Sequence, residues 1–192
     1  MNKAFTLIEL MIVISIIGSL TMLGVSAYPK AVKNSRDLQR KSDMNDISAA
    51  LEQYKQANGD LPNETYTGGN LAGWEVSTFP NFMEYLQPYI HKIIKDPVNR
   101  IAPLVDMFYS PRPDDYNFFY MYHYYNQPDA GQRFGCNFDG PLAVFGFRAL
   151  EHSDSENLPK AQCGPMPCDR GGTPNVCRDW SNEFDYSVII RP

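Results

Sequence analysis

The chain opens with a long apolar run, and polar positions become regular only after it. Residues 5–27 read FTLIELMIVISIIGSLTMLGVSA and contain a single ionisable side chain, that of Glu9. A helix of about 20 apolar residues is long enough to cross a bilayer. The pattern therefore predicts a membrane-spanning helix with one costly charge near its start.

From residue 30 to about Asn58 the apolar positions become periodic. Those on one helical face recur at spacings of three, four and three: Met44, Ile47, Leu51 and Tyr54. Asn58-Gly59 followed by Pro62 is a helix stop signal. We therefore expect one helix of about 50 residues, apolar in its first half and half-buried under a globular head in its second.

The start of this second half is crowded with charged side chains: Lys30, Lys33, Arg36, Asp37, Arg40, Lys41 and Asp43. We interpret them as a solvated helix face. The alternative is a surface that contacts lipid headgroups or an acidic partner.

The rest of the chain predicts a small sheet. Residues 60–75 are loop-like, Ser77 or Thr78 caps a short helix entered at Pro80, and Asp96-Pro97 marks a turn. Three aromatic or β-branched runs then predict strands at residues 116–125, 142–150 and 184–190. An antiparallel sheet laid across the amphipathic helix gives an α+β fold.

The first of these runs, YNFFYMYHYY, carries a stripe of tyrosines. Alternating sheet faces, one packed on the helix, account for it. The alternative is a stacking platform for a carbohydrate or nucleic acid, which would make the chain a membrane-anchored extracytoplasmic binding protein.

Composition narrows the function classes. The net charge of −5 argues against a nucleic-acid footprint spread over the surface. No Ser/His/Asp or Cys/His set stands at a spacing typical of catalysis, and His91, His123 and His152 are scattered. We expect no enzyme activity and no cofactor.

The four cysteines lie in the last third of the chain: Cys136, Cys163, Cys168 and Cys177. An even number beyond a membrane helix predicts two disulfides in an oxidising compartment, and the three pairings stay open. Zinc is the alternative, but no tight Cys-x2-Cys pair is present. Carboxylates of the long loop after residue 150 suggest calcium as a further alternative, without EF-hand spacing: Asp154, Glu156, Asp169 and Asp179. We predict no metal site.

The residues from Ala4 to Val13, AFTLIELMIV, resemble the prepilin signature of type IV pilins and type II secretion pseudopilins. The resemblance implies cleavage by the prepilin peptidase between Ala4 and Phe5, followed by N-methylation of Phe5. It also implies that Glu9 guides subunit assembly. Ala4 stands where the family usually has glycine. The Asp96-Pro97 turn is similar to one in many secretion pseudopilins.

The resemblance implies a pilin fold with a leader (1–4), an apolar stem (5–29) and an extracytoplasmic head (30–192). It implies a single-pass precursor in the inner membrane, assembled by inner-membrane machinery into a homo-oligomeric helical filament at the cell surface. Pilus and secretion pseudopilus, major and minor subunit, and roles in adhesion, motility, DNA uptake or secretion all stay open.

The role of Glu9 also follows from electrostatics. A carboxylate and a free amine are each costly in an apolar surrounding. If neighbouring subunits stagger so that one amino terminus meets the next Glu9, both charges are paired, and any other stagger leaves both unpaired. Glu9 is therefore expected to select the register of assembly.

Overall fold

In the computed structural model, one long helix lies against a four-stranded antiparallel sheet. This is the α+β architecture expected from the sequence, and it is consistent with a pilin fold. Along the sheet, each strand pairs with the next one in the chain. The structure describes residues 6–64, 73–100, 117–152, 156–161, 163 and 180–192.

The long helix, α1, runs over Leu7–Asn58 and confirms the prediction of a single helix of about 50 residues. Thr6 caps its amino end in an extended conformation. Gly59 ends it with φ 81°, a left-handed conformation that glycine adopts at little cost. The Gly59 N–H donates to the Lys55 carbonyl at 2.8 Å, which closes the last turn.

All neighbouring strands of the sheet are antiparallel. Its members are β1 (Glu75–Val76), β2 (Tyr120–Tyr125), β3 (Leu142–Phe147) and β4 (Tyr186–Ile190). The three predicted strands are present, each shorter than the aromatic run that indicated it. No pattern in the sequence indicates β1, because two residues are too few to show alternation.

A side-chain acceptor explains why β3 stops before the predicted end at Leu150. The Leu150 N–H donates to the Asp185 carboxylate at 2.7 Å rather than to a strand. Asp185 directly precedes β4, and its own N–H donates to the Arg148 carbonyl. One aspartate therefore ends one predicted strand and delays the start of the next.

The sheet has two covered faces. On one face Tyr120, Tyr122 and Tyr124 pack against α1, where Met44 and Leu51 are fully buried. The predicted amphipathic face of α1 is thus the face that contacts the sheet. The other face of the sheet carries a second apolar cluster, which includes Trp74, Phe119, Met121, Val144, Trp180 and Phe184.

The tyrosines of β2 do not form an open platform. Tyr120 and Tyr122 are 0% exposed and Tyr124 is 6% exposed. The Tyr120 hydroxyl donates to the Asp43 carboxylate at 2.5 Å, and the Tyr122 hydroxyl donates to the Pro62 carbonyl at 2.6 Å. The interpretation of these three side chains as a stacking surface for sugars or bases is therefore wrong.

The short helix predicted after Pro80 is reduced to one 3-10 turn at Glu84–Leu86. Met83 interrupts it, because its φ of 50° is left-handed and costly for a side chain with a Cβ atom. The Met83 N–H donates to the buried Glu75 carboxylate at 2.6 Å, which holds it there. Phe82 is still buried on the predicted side.

One disulfide joins Cys136 to Cys163 across 27 residues of sequence. It connects the loop after the short helix α2 (Ala130–Arg133) to the segment beside β4. Because zinc binds thiolates, these two cysteines do not serve as zinc ligands in the bonded form. Cys168 and Cys177 lie outside the described residues.

Removing this bond should destabilise the head. For the double variant Cys136→Ser/Cys163→Ser we expect the free energy of unfolding to fall by about 3.5 kcal/mol, as loop closure of this length predicts. Urea denaturation of the full chain in detergent micelles measures the change. An unchanged urea midpoint in the double variant would contradict it.

Candidate assembly surface

The first half of α1 is an exposed apolar surface. Leu7 is 77% exposed and Met22 80% exposed, and nothing among the described residues covers the side chains between them. Such a surface marks a partner or membrane contact in a protein. The exposed side chains lie all round the helix: Leu7, Ile8, Leu10, Met11, Ile12, Val13, Ile14, Ile16, Ile17, Leu20, Met22, Val25 and Tyr28.

The single charge of this surface is held at the amino end of the helix. Glu9 and Thr6 form a capping box, in which the Thr6 hydroxyl accepts from the Glu9 N–H at 3.3 Å. The Glu9 carboxylate in turn accepts from the Thr6 N–H at 2.8 Å and from its hydroxyl at 2.7 Å. The carboxylate therefore points toward the start of the chain, where the helix dipole favours an anion.

Three hydroxyl groups in the apolar part of the stem are satisfied within the helix. Ser15 donates to the Met11 carbonyl at 2.7 Å, Ser19 to the Ser15 carbonyl at 2.8 Å, and Thr21 to the Ile17 carbonyl at 2.6 Å. An unbonded hydroxyl is costly in an apolar surrounding. With these bonds the stem can enter lipid or protein without that cost.

The stem meets the second half of α1 at a bend of 40° between Met22 and Ala27. Pro29 has no N–H for the carbonyl four residues before it, that of Val25, and its ring crowds that carbonyl. Gly24 lies in the same turn. Within the described residues no single straight helix is long and apolar enough to cross a membrane, but the pair joined at this bend is, by length and composition.

The other predicted functional residues divide between described and undescribed parts of the chain. The expected cleavage point, Ala4 and Phe5, lies outside the described residues. So do three of the four candidate calcium ligands, leaving Glu156. No group of three or more metal-binding side chains occurs in the part of the chain that the structure describes.

Five charged side chains meet where α1 contacts the head, and we call them the ion cluster: Arg36, Asp37, Arg40, Asp96 and Glu151. Arg40 lies at the centre and donates to both oxygens of Asp96, at 2.7 and 3.0 Å. It also donates to Asp37 at 2.8 Å and lies 3.1 Å from Glu151. Arg36 donates to Glu151 from the solvent side at 2.7 Å.

Backbone donors complete the ion cluster. Asp96 accepts from the N–H groups of Val98 at 2.8 Å and Asn99 at 3.1 Å, so the predicted Asp-Pro turn folds back on its own aspartate. Asp37 accepts from the N–H groups of residues 151–152 at 2.8 and 2.9 Å. Each carboxylate thus ties one loop of the head to α1.

These contacts correct the interpretation of the charged segment as a solvated face. Arg40 and Asp37 are 0% exposed and Asp43 is 9% exposed, whereas Lys30 and Lys33 are exposed as predicted. Burial lowers the pKa of the Arg40 guanidinium, but the neighbouring carboxylates more than offset this, so its pKa lies above the usual value. Arg40 therefore stays charged throughout the physiological pH range.

Asp43 lies beside the ion cluster and is less well compensated. Burial raises the pKa of its carboxyl group above the ordinary 3.8, although the hydrogen bond from Tyr120 acts in the opposite direction. The nearby carboxylates of Asp46 and Asp96 raise the pKa further, and Arg40 lowers it. The folded state therefore binds a proton at Asp43 more tightly than the unfolded chain does.

This difference predicts a pH dependence of stability. The contribution of protonated Asp43 to the free energy of unfolding is fully present below pH 3.8. It is lost as the pH rises through the higher pKa that Asp43 has in the folded state. Asparagine does not titrate, so Asp43→Asn does not lose this stabilisation as the pH rises. The unfolding free energy of the variant minus that of the unchanged protein should therefore increase from pH 3.8 to neutral pH. Urea midpoints across that range measure it. Asp129→Asn, at an exposed position that is not among the groups shifting the pKa of Asp43, is the control, and an equal effect in both variants would contradict the assignment.

Comparison with known proteins identifies the amino-terminal segment. Residues 1–25 match the family model described as the prokaryotic N-terminal methylation motif. No curated protein and no solved structure matches the chain. The match confirms the prepilin-type signature of residues 1–25 and points to a pilin-like precursor that is anchored in the membrane.

Proposed function

We propose that this protein is a structural subunit of a type IV pilus or a pilus-like secretion filament. The observation that carries the proposal is the exposed apolar stem with Glu9 held at its amino end, within the segment that matches the methylation motif. Before assembly, the subunit resides in the inner membrane as a single-pass precursor. It then moves into a filament in which stems form the core and heads form the outside.

The stem suits such a transfer energetically. Apolar side chains that contact lipid in the membrane contact other stems in the filament, so neither state exposes them to water. The hydroxyls of Ser15, Ser19 and Thr21 bond to carbonyls of their own helix and require no partner in either place. The charge of Glu9 still needs a counter-ion in an apolar surrounding. We propose that the amine of Phe5 in a neighbouring mature subunit provides it.

The proposed processing has a direct test. The intact mass of the protein from cells with a prepilin peptidase should correspond to loss of residues 1–4 plus one methyl group. In Ala4→Leu, where the side chain before the cut is large, the mass should be that of the precursor. A Met1 start in the unchanged protein from such cells would contradict the processing step.

In this proposal the leader is residues 1–4, the stem 5–29 and the head 30–192. A membrane-anchored receptor that does not polymerise would carry the same anchor but would need no charge within it. The burial of Tyr120, Tyr122 and Tyr124 also counts against the stacking surface that such a receptor would use.

A further inference from the structure

The outer edge of β4 has hydrogen-bond partners at both of its ends, and among the described residues none at its centre. At one end the Ser187 N–H donates to the Pro159 carbonyl at 3.0 Å, and the Ala161 N–H donates to the Ser187 hydroxyl at 2.9 Å. At the other end the Lys55 ammonium donates to the Arg191 carbonyl at 3.0 Å. Side chains and a short loop therefore cap an edge that an open sheet would otherwise expose.

The open position is Ile189. In a strand, alternate residues direct their N–H and C=O groups to the same side. Since Ser187 directs its N–H away from β3, Ile189 directs both its groups away as well, and its pairing with Val144 is of the non-hydrogen-bonded kind. Among the described residues no backbone group occupies this position of the edge.

Ile189 lines a cleft of about 610 Å³, whose other walls carry both apolar and charged side chains. Phe138, Leu158 and Val188 provide apolar walls beside the strand. An extended peptide segment needs both a row of backbone partners and such walls for its side chains. The cleft offers such walls and, at Ile189, one open pair of backbone N–H and C=O groups.

The charges of the cleft favour an anionic ligand. The Arg191 guanidinium carbon lies 4.9 Å from the centre of the Phe138 ring, a cation–π contact that places this cation at the wall of the cleft. Lys160 lines the same cleft, and neither cation has a carboxylate partner among the described residues. Glu156 is the acidic residue of the lining, so the cations are in excess.

We propose that this cleft binds a short extended acidic segment of a partner protein. The segment adds to β4 through the N–H and C=O groups of Ile189 and places a carboxylate on Arg191 and Lys160. Because Pro159 and Lys55 cap the edge on either side, the added strand is limited to about three residues, one pair of hydrogen bonds at its centre. The site lies on the head and does not depend on the proposed assembly of the stem.

Blocked pentapeptides test the proposal on the full chain in detergent micelles. The probes are Glu-Val-Glu-Val-Glu, its Lys-Val-Lys-Val-Lys counterpart, and the acidic peptide with its central amide nitrogen methylated. We expect saturable shifts of the Ile189 and Arg191 amide signals with the acidic peptide, with a dissociation constant on the order of 1 mM. The basic and methylated peptides should bind at least about tenfold more weakly.

Variants of the cleft test separately the backbone groups of Ile189 and the side chain of Arg191. Ile189→Pro removes an N–H that does not pair with β3, so it should abolish peptide binding while Ile189→Val retains it. Arg191→Gln should weaken binding about tenfold, whereas Arg133→Gln, an exposed arginine outside the cleft, should not. Equal binding of acidic and basic peptides, or no saturable shift with any peptide, would overturn the proposal. If Ile189→Pro does not fold, the methylated peptide decides the question of strand addition.

Discussion

Replacing Glu9 by glutamine should abolish filament formation and leave the protein in the membrane. Glutamine keeps an oxygen that accepts the Thr6 N–H, so the capping box survives, but it removes the charge that we propose pairs with the amine of a neighbouring subunit. Sheared surface filaments and membrane fractions, compared by immunoblot, measure the two outcomes. We expect filaments to fall by at least tenfold, which corresponds to about 1.4 kcal/mol of lost pairing.

Thr6→Ala is the matched control, because it removes the cap and leaves the charge. Loss of a helix cap costs about 1 kcal/mol and should weaken only the first turn of α1. If Glu9 acts through the cap, Thr6→Ala will be the more damaging variant and Glu9→Gln will assemble. If Glu9 acts through intersubunit pairing, the order is reversed. Assembly of Glu9→Gln at the normal level would contradict the proposed register.

The second large effect is expected in the head. Arg40→Ala leaves the carboxylates of Asp37, Asp96 and Glu151 buried without their central cation. Breaking a buried ion pair on one side costs about 3 to 5 kcal/mol, a large part of the total stability of an ordinary domain. The urea midpoint of the full chain in micelles should fall accordingly, and the yield of folded protein with it.

Two comparisons separate this effect from a general loss of charge. Lys33→Ala removes a cation from the exposed side of the same helix, and its effect should be within about 0.5 kcal/mol. The double variant Arg40→Ala/Asp96→Ala removes both partners, so it should lose less than the sum of the single variants. Strict additivity, or equal stability of Arg40→Ala and Lys33→Ala, would contradict the role of the ion cluster.

The parts of the fold that the sequence predicted are those with local causes. The helix follows from its periodicity and from Gly59 as its stop, and the strands follow from runs of aromatic and β-branched residues. The apolar stem and Glu9 stand out for the same reason. Each signal is contained within one stretch of chain, so it can be recognised without knowing what packs against it.

The parts that were missed depend on contacts between distant stretches. Arg40 pairs with Asp96 across 56 positions, and Arg36 pairs with Glu151 across 115. Nothing near Arg40 in the sequence distinguishes it from the exposed Lys33. The interrupted helix after Pro80 has a similar cause, since Glu75 in β1 draws the Met83 N–H out of helical geometry.

The ion cluster also determines where tension would pass through the molecule. The first residue of α1 that is bound to the head through the cluster is Arg36, seven residues beyond Pro29, or about 10 Å along the helix. The bend at residues 22–27 therefore precedes the part of α1 that the ion cluster holds against the head. Pulling on the stem would therefore load this bend before the head, and the force would first reach the head at Arg36 through its ion pair with Glu151, before the buried guanidinium of Arg40.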